Sequence, residues 1–157
     1  MKLTINGKFL EIEAPEPRMI LAEFLREHLR LRGVHLSCEM GVCGACTIIL
    51  DGRPVKSCLM LAVQADGADI LTVEGLATDG KLSPLQELFR SCNALQCGFC
   101  TPGMLMNAHS IVAEGQPLDE RGIRKAVSGN LCRCTGYQGI VAAIGKALAE
   151  KNNGSGQ

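Results

Sequence analysis

The residues that could do chemistry are cysteines, and they fall into two sets. Gln96-Cys97-Gly98-Phe99-Cys100-Thr101-Pro102-Gly103 carries one C-x2-C pair, and Asn130-Leu131-Cys132-Arg133-Cys134-Thr135-Gly136-Tyr137 answers it with a C-x-C pair. Four thiolates in two tight pairs can close a tetrahedral zinc site or hold a pair of iron atoms, and spacing alone leaves both open. Upstream, Cys38, Cys43 and Cys46 follow the x4–x2 spacing of plant-type [2Fe-2S] loops, and Cys58 comes after a further hairpin-sized interval. Gly41 and Gly44 in that loop permit a wrapped backbone whose N–H groups face sulfur. The expectation is two clusters in one small chain.

Composition narrows the alternatives. The 157 residues leave room for one ordinary domain or two small ones. Four Phe, one Tyr and no Trp make for thin cores, which metal binding can offset. The cysteine count is nine, and the chain runs from Met1-Lys2-Leu3 straight into a strand pattern with no apolar leader. An odd count in C-x-C and C-x2-C spacings suits metal loops better than a secreted disulfide framework, so the expected compartment is reducing, the cytoplasm. With 16 basic and 16 acidic residues and no run of either sign, nothing points to nucleic acid. No apolar stretch approaches the roughly 20 residues of a membrane span. Neither a Ser-His-Asp set, nor paired catalytic carboxylates, nor a phosphate-binding glycine loop can be found, as suits electron transfer.

The elements that must position the cysteines can be read in outline. Residues 2–13 form a hairpin about Asn6-Gly7, and 47–58 a second about Asp51-Gly52 that carries Cys58 back toward the 38–46 loop. Residues 19–31 show an amphipathic helical pattern, with Gly33 placed to stop it, and 70–73 read as a last strand. Residues 74–81 turn to Gly, Thr and Asp, a linker. Beyond it, Ser83-Pro84-Leu85-Gln86 starts a helix that ends near Cys92, Thr101-Pro102 starts another to about 113, Asp119 caps a third through 127, and 137–150 form a fourth. The expected plan is α+β: a small sheet domain over residues 1–76, a four-helix domain over 80–150 with a cysteine pair in each of two interhelical loops, and a disordered tail over 151–157. Helix starts after Cys100 and near Tyr137 would set partial positive charge beside an anionic cluster.

At these residues the chain resembles the iron-sulfur small subunits of molybdenum hydroxylases, relatives of xanthine and aldehyde oxidoreductases and of the carbon monoxide dehydrogenase small subunit. The likeness is carried by Cys38-Glu39-Met40-Gly41-Val42-Cys43-Gly44-Ala45-Cys46 and by the two motifs around Cys97 and Cys132. It implies a ferredoxin-like β-grasp first domain and a helical second domain, each with one [2Fe-2S] cluster. Cys38, Cys43, Cys46 and Cys58 would hold the first cluster, and Cys97, Cys100, Cys132 and Cys134 the second. It further implies a large subunit with a molybdenum-pterin cofactor, of the cytosine dinucleotide type, and a medium subunit with FAD, in a dimerised heterotrimer. Gln96 and Cys134 would lie against the pterin, and electrons would pass from molybdenum through the second cluster, then the first, to FAD. A chain of this length would leave the flavin and molybdenum parts to separate polypeptides.

Other residues read more plainly. Cys92 fits neither set and suits packing at a helix end, His28, His35 and His109 suit surface or interface roles, and Arg133 suits a partner contact, a charge that raises the cluster potential, or loop solvation. The alternative to an electron-transfer subunit is a stand-alone metal-binding or redox-sensing protein using the same thiols.

Overall fold

Two tight turns set the sheet. Asn6 and Gly7 both take positive φ, 50° and 76°, and join β1 (Lys2–Ile5) to β2 (Lys8–Glu11). Asp51 and Gly52, at 48° and 77°, do the same for β3 (Thr47–Leu50) and β4 (Arg53–Lys56). This is the backbone a type I′ turn demands, and both dipeptides supply it. A fifth strand, β5 (Asp69–Leu71), pairs parallel to β1 and antiparallel to β3, giving the order β2-β1-β5-β3-β4. The structure is a computed structural model and describes residues 1–154.

The helix expected over 19–31 is much shorter. Residues 19 and 20 stay extended, because Leu21 N–H donates to Met60 O at 2.8 Å and Ala62 N–H to Met19 O at 2.8 Å. Helical geometry begins with α1 (Leu21–Glu23) and widens at once into a π turn (Phe24–His28), closed by Leu29 N–H on Phe24 O at 3.3 Å. Leu21, Ala22, Phe24 and Leu25 are all buried. Arg30 turns the chain away at a φ of 59°, and Arg26 Nη1 clamps the exit by donating to the carbonyls of Arg32 and Val34. Gly33 therefore does not stop the helix. Its N–H donates to Glu74 Oε1 at 2.7 Å, and a Cβ there would strike Val73 and Glu74.

The first core joins Leu3, Ile5, Leu21, Phe24, Leu25, Ile48 and Ile70 between the sheet and this short helix. The expected strand 70–73 ends early, with Val73 already inside a 3₁₀ turn (Val73–Leu76) in the linker.

Four helices follow: α2 (Pro84–Ser91), α3 (Thr101–Glu114), α4 (Glu120–Ala126) and α5 (Gln138–Gly154). The α2 start is a full capping box, in which Gln86 N–H donates to Ser83 Oγ and Ser83 N–H to Gln86 Oε1. Asp119 caps α4 by accepting from Gly122 N–H at 2.7 Å. Ala94, Met104, Ile123, Val127, Ile140 and Ile144 form a second core, with Cys92 at the end of α2 packed against it. Helix α5 continues past Glu150 to Gly154, where an irregular tail was expected; the remainder of that tail, 155–157, lies outside the described residues. Helix α3 lies against β3 and joins the two domains.

Candidate metal centres

The first cradle is one continuous loop closed by a hairpin. Three residues at positive φ, Glu39 and the glycines Gly41 and Gly44, bring the 38–46 loop round on itself. A short 3₁₀ turn (Ser57–Leu59) at the end of β4 places Cys58 beside Cys46, and both are buried. Ser57 fixes that return by donating through Oγ to Cys46 O at 2.7 Å. Backbone N–H groups converge on the sulfurs: Cys43 N–H donates to Cys38 Sγ at 3.3 Å, Met40 and Val42 also donate to Cys38, and Gly41 donates to Cys58. The N–H of Cys43, followed by that of Met40, draws the Cys38 thiol down to about 6. Burial, followed by the Cys46 thiol, lifts Cys58 to about 11.

The second cradle is assembled from two distant segments. Cys97 and Cys100 precede α3, with Cys100 as its N-cap, and Cys132 and Cys134 lie between α4 and α5. The sulfurs of Cys97 and Cys134 meet at 3.6 Å on the surface, while Cys100 and Cys132 lie together further in. Burial, followed by the Cys132 thiol, pushes Cys100 up to about 12. Burial also pushes Cys132 up, but hydrogen bonds from Thr135, Cys134 N–H and Cys100 outweigh it and leave that thiol below its usual value. The Cys97 sulfur, accepting from the Cys134 thiol across the 3.6 Å contact, raises Cys134.

Gly98 and Gly136 turn these loops at positive φ, and side chains hold them. Thr135 Oγ1 donates to Cys132 Sγ at 3.1 Å, and Tyr137 curls back at a φ of 67°. Its phenol accepts from Cys132 N–H at 2.9 Å and donates to Asn130 O at 3.2 Å. His35 stacks on Phe99 with ring centroids 4.8 Å apart, and its Nδ1 lies 2.6 Å from Phe99 O.

The two cradles touch through backbone. Leu131 N–H donates to Cys43 O at 2.8 Å, linking the residue before Cys132 to a first-set cysteine. Asn130 is buried at this seam: its Nδ2 donates to Gly44 O, Thr47 Oγ1 and Gly103 O, and its Oδ1 accepts from Asn107 Nδ2 and Lys56 Nζ. A Cβ on Gly103 would strike the carbonyl oxygens of Gly44 and Ala45, so α3 can approach this closely only through glycine. Asn130, Lys56, Tyr137 and Thr135 carry no role in the sequence reading. Their partners are local only for Tyr137 and Thr135; Lys56 and Asn130 are separated by 74 positions.

The donor set fits iron-sulfur clusters. All nine cysteines are free thiols, eight of them gathered in the two cradles, and N–H and O–H donors face sulfur in both. Among the described residues, no three His, Cys, Asp or Glu side chains form a group for one metal ion. Thr101 Oγ1, next to Cys100, is the one buried side-chain oxygen or nitrogen among the described residues with no hydrogen-bond partner, a donor left over for a group in the cradle. Cys92 lies apart, on the second core.

Fold and site together define a two-domain iron-sulfur electron carrier. Residues 3–72 match the 2Fe-2S iron-sulfur cluster binding domain and residues 72–145 the [2Fe-2S] binding domain. The chain is 54% identical to the caffeine dehydrogenase subunit gamma of Pseudomonas sp. (strain CBB1), over 92% of this chain and 87% of that one. It is 57% identical to the 6-hydroxypseudooxynicotine dehydrogenase complex subunit beta of Paenarthrobacter nicotinovorans, over 82% and 81%. Its structure superposes on a chain of quinoline 2-oxidoreductase from Pseudomonas putida 86 with a TM-score of 0.92 and 53% identity, covering 98% of this chain and 96% of that chain. The chain belongs to the iron-sulfur small subunits of the molybdenum hydroxylases. It is a non-catalytic, electron-transferring component of an oxidoreductase. Among the described residues no helix is long and apolar enough to cross a membrane.

Proposed function

We propose that Cys38, Cys43, Cys46 and Cys58 hold one [2Fe-2S] cluster and Cys97, Cys100, Cys132 and Cys134 a second. When bound, the clusters supply one-electron chemistry, carrying electrons from a molybdenum-pterin site on a large subunit to FAD on a medium subunit. The chain's own part is to hold the thiolates, screen them with N–H donors and set the two cradles in contact. The observation that carries this reading is the 2.8 Å hydrogen bond from Leu131 N–H to Cys43 O, which leaves a single non-covalent step between ligand-bearing backbones. The outer end is Gln96, Cys97 and Cys134, all exposed and rimmed by the exposed apolar side chains Leu95, Phe99 and Leu131. That surface suits a pterin of the cytosine dinucleotide type on the partner, with Gln96 and Cys134 against it, in a dimerised cytoplasmic heterotrimer.

Gln96→Ala in the intact complex tests the placement. The expected result is a changed molybdenum EPR signal, or changed coupling to the second cluster, with the first cluster's spectrum untouched. A change confined to the first cluster reverses the assignment. Metal analysis tests the ligand sets: about four irons per chain support them, and zinc in their place sinks them.

A further inference from the structure

Lys56 is the one feature at the seam that ligand holding does not explain. It ends β4, two residues before Cys58, and its side chain is half-buried. The ammonium donates to Thr47 Oγ1 at 2.9 Å and to Asn130 Oδ1 at 3.2 Å, both neutral. Among the described residues no carboxylate forms an ion pair with it. A partly desolvated cation held without a carboxylate is unfavourable unless some other anion compensates it. Its anchors set it on the first loop: Thr47 directly follows Cys46 and its hydroxyl donates to Gly44 O at 2.7 Å, Asn130 Nδ2 donates to the same carbonyl, and Lys56 itself stands two residues before Cys58.

The anchoring gives the charge a direction. Thr47 and Asn130 hold the ammonium at the seam, where it is less open to solvent screening than the exposed Arg133 on the second cradle. We propose that Lys56 is a charge-tuning residue: fixed by Thr47 and Asn130, its positive charge stabilises an added electron on the Cys38, Cys43, Cys46 and Cys58 side and so biases the pair toward reduction there. The step is a plain one-electron transfer: the second side is oxidised by one electron, the first is reduced by one, and no proton or bond changes hands. This inference rests on the ligand assignment proposed above.

The test is an EPR-monitored redox titration of the intact complex carrying Lys56→Gln, Lys56→Met or Lys56→Arg. Two [2Fe-2S] signals in the unaltered complex are required first, and their absence sinks the ligand assignment rather than the role of Lys56. With both present, Lys56→Gln keeps a polar end for Thr47 and Asn130 but removes the charge. The expected result is a first-cluster midpoint moved negative by about 59 mV, a tenfold fall in its reduced-to-oxidised ratio at fixed potential. The second-cluster midpoint should hold, and Lys56→Arg should restore the first. An unmoved first-cluster midpoint in Lys56→Gln overturns the proposal, as does an equal shift of both clusters or a failure of Lys56→Arg to restore. Lys56→Met repeats the reading without the polar end, so loss of assembly in one neutral variant leaves the other to decide.

Discussion

The two cradles solve one problem by opposite means. The first is local: a glycine-turned loop and one hairpin bring four thiols together, and backbone N–H groups of the same loop cover the sulfurs. The second is long-range, since its pairs lie in separate interhelical loops and are held by the side chains of Thr135, Tyr137 and Asn130. Exposure follows the same division. Cys46 and Cys58 are buried, whereas Cys97 and Cys134 are exposed. A cradle built from one backbone loop closes over its contents; one built between helices can leave a sulfur edge open to a partner.

The comparison can be broken at several points, the strongest first. Cys132→Ser should remove the second cluster and leave the first, halving iron from about four to about two per chain and deleting one of two EPR signals. Loss of both signals would show that the first cradle also depends on the long-range one. Gly103→Ala drives a methyl into the carbonyls of Gly44 and Ala45, where both neighbours are backbone. It should cost on the order of 3 kcal/mol, read as a fall in thermal midpoint, and should broaden both cluster spectra.

Tyr137→Phe is milder. It removes the acceptor for Cys132 N–H and the donor to Asn130 O, at a cost of about 1 to 2 kcal/mol. Only the second cluster's spectrum should move, because no first-set sulfur contacts the phenol. The smallest effect is on reactivity in iron-free chain. With Cys38 near 6 and Cys58 near 11, Cys38 is mostly thiolate at pH 7 while Cys58 is thiolate to less than about 0.1%. Alkylation followed by peptide mapping should mark Cys38 well before Cys58 or Cys100. Raising the pH from 5 to 7 should accelerate Cys38 and then level off, while Cys58 stays protected.

What could be read in advance follows from range. The turns at Asn6-Gly7 and Asp51-Gly52 were legible because two adjacent residues determine them. The Ser83 capping box and the Asp119 cap were legible because their partners lie three residues away. The helix over 19–31 misled, since its apolar period is real but residues 19–21 are claimed by residues 60–62 across the fold. Gly33 looked like a stop signal, yet the reason for glycine is the approach of Val73 and Glu74. Within the site, the cysteines announced themselves by spacing. Lys56 and Asn130 could not, since a lysine ending a strand and an asparagine in a loop have no pattern until the chain brings them together.

The seam at Asn130 also makes each half of the molecule depend on the other. The carboxamide is buried, and of its three donor contacts two, to Gly44 O and Thr47 Oγ1, belong to the first domain. Formed alone, the helical half would leave that amide short of partners, at about 1 to 3 kcal/mol, and Leu131 N–H without Cys43 O. The sheet half in turn would lose the partner of Cys43 O and one of the two acceptors of Lys56. The two receptacles are therefore interlocked: a chain in which either half is unfolded presents the other with unmet hydrogen bonds at the very loops that carry its thiols.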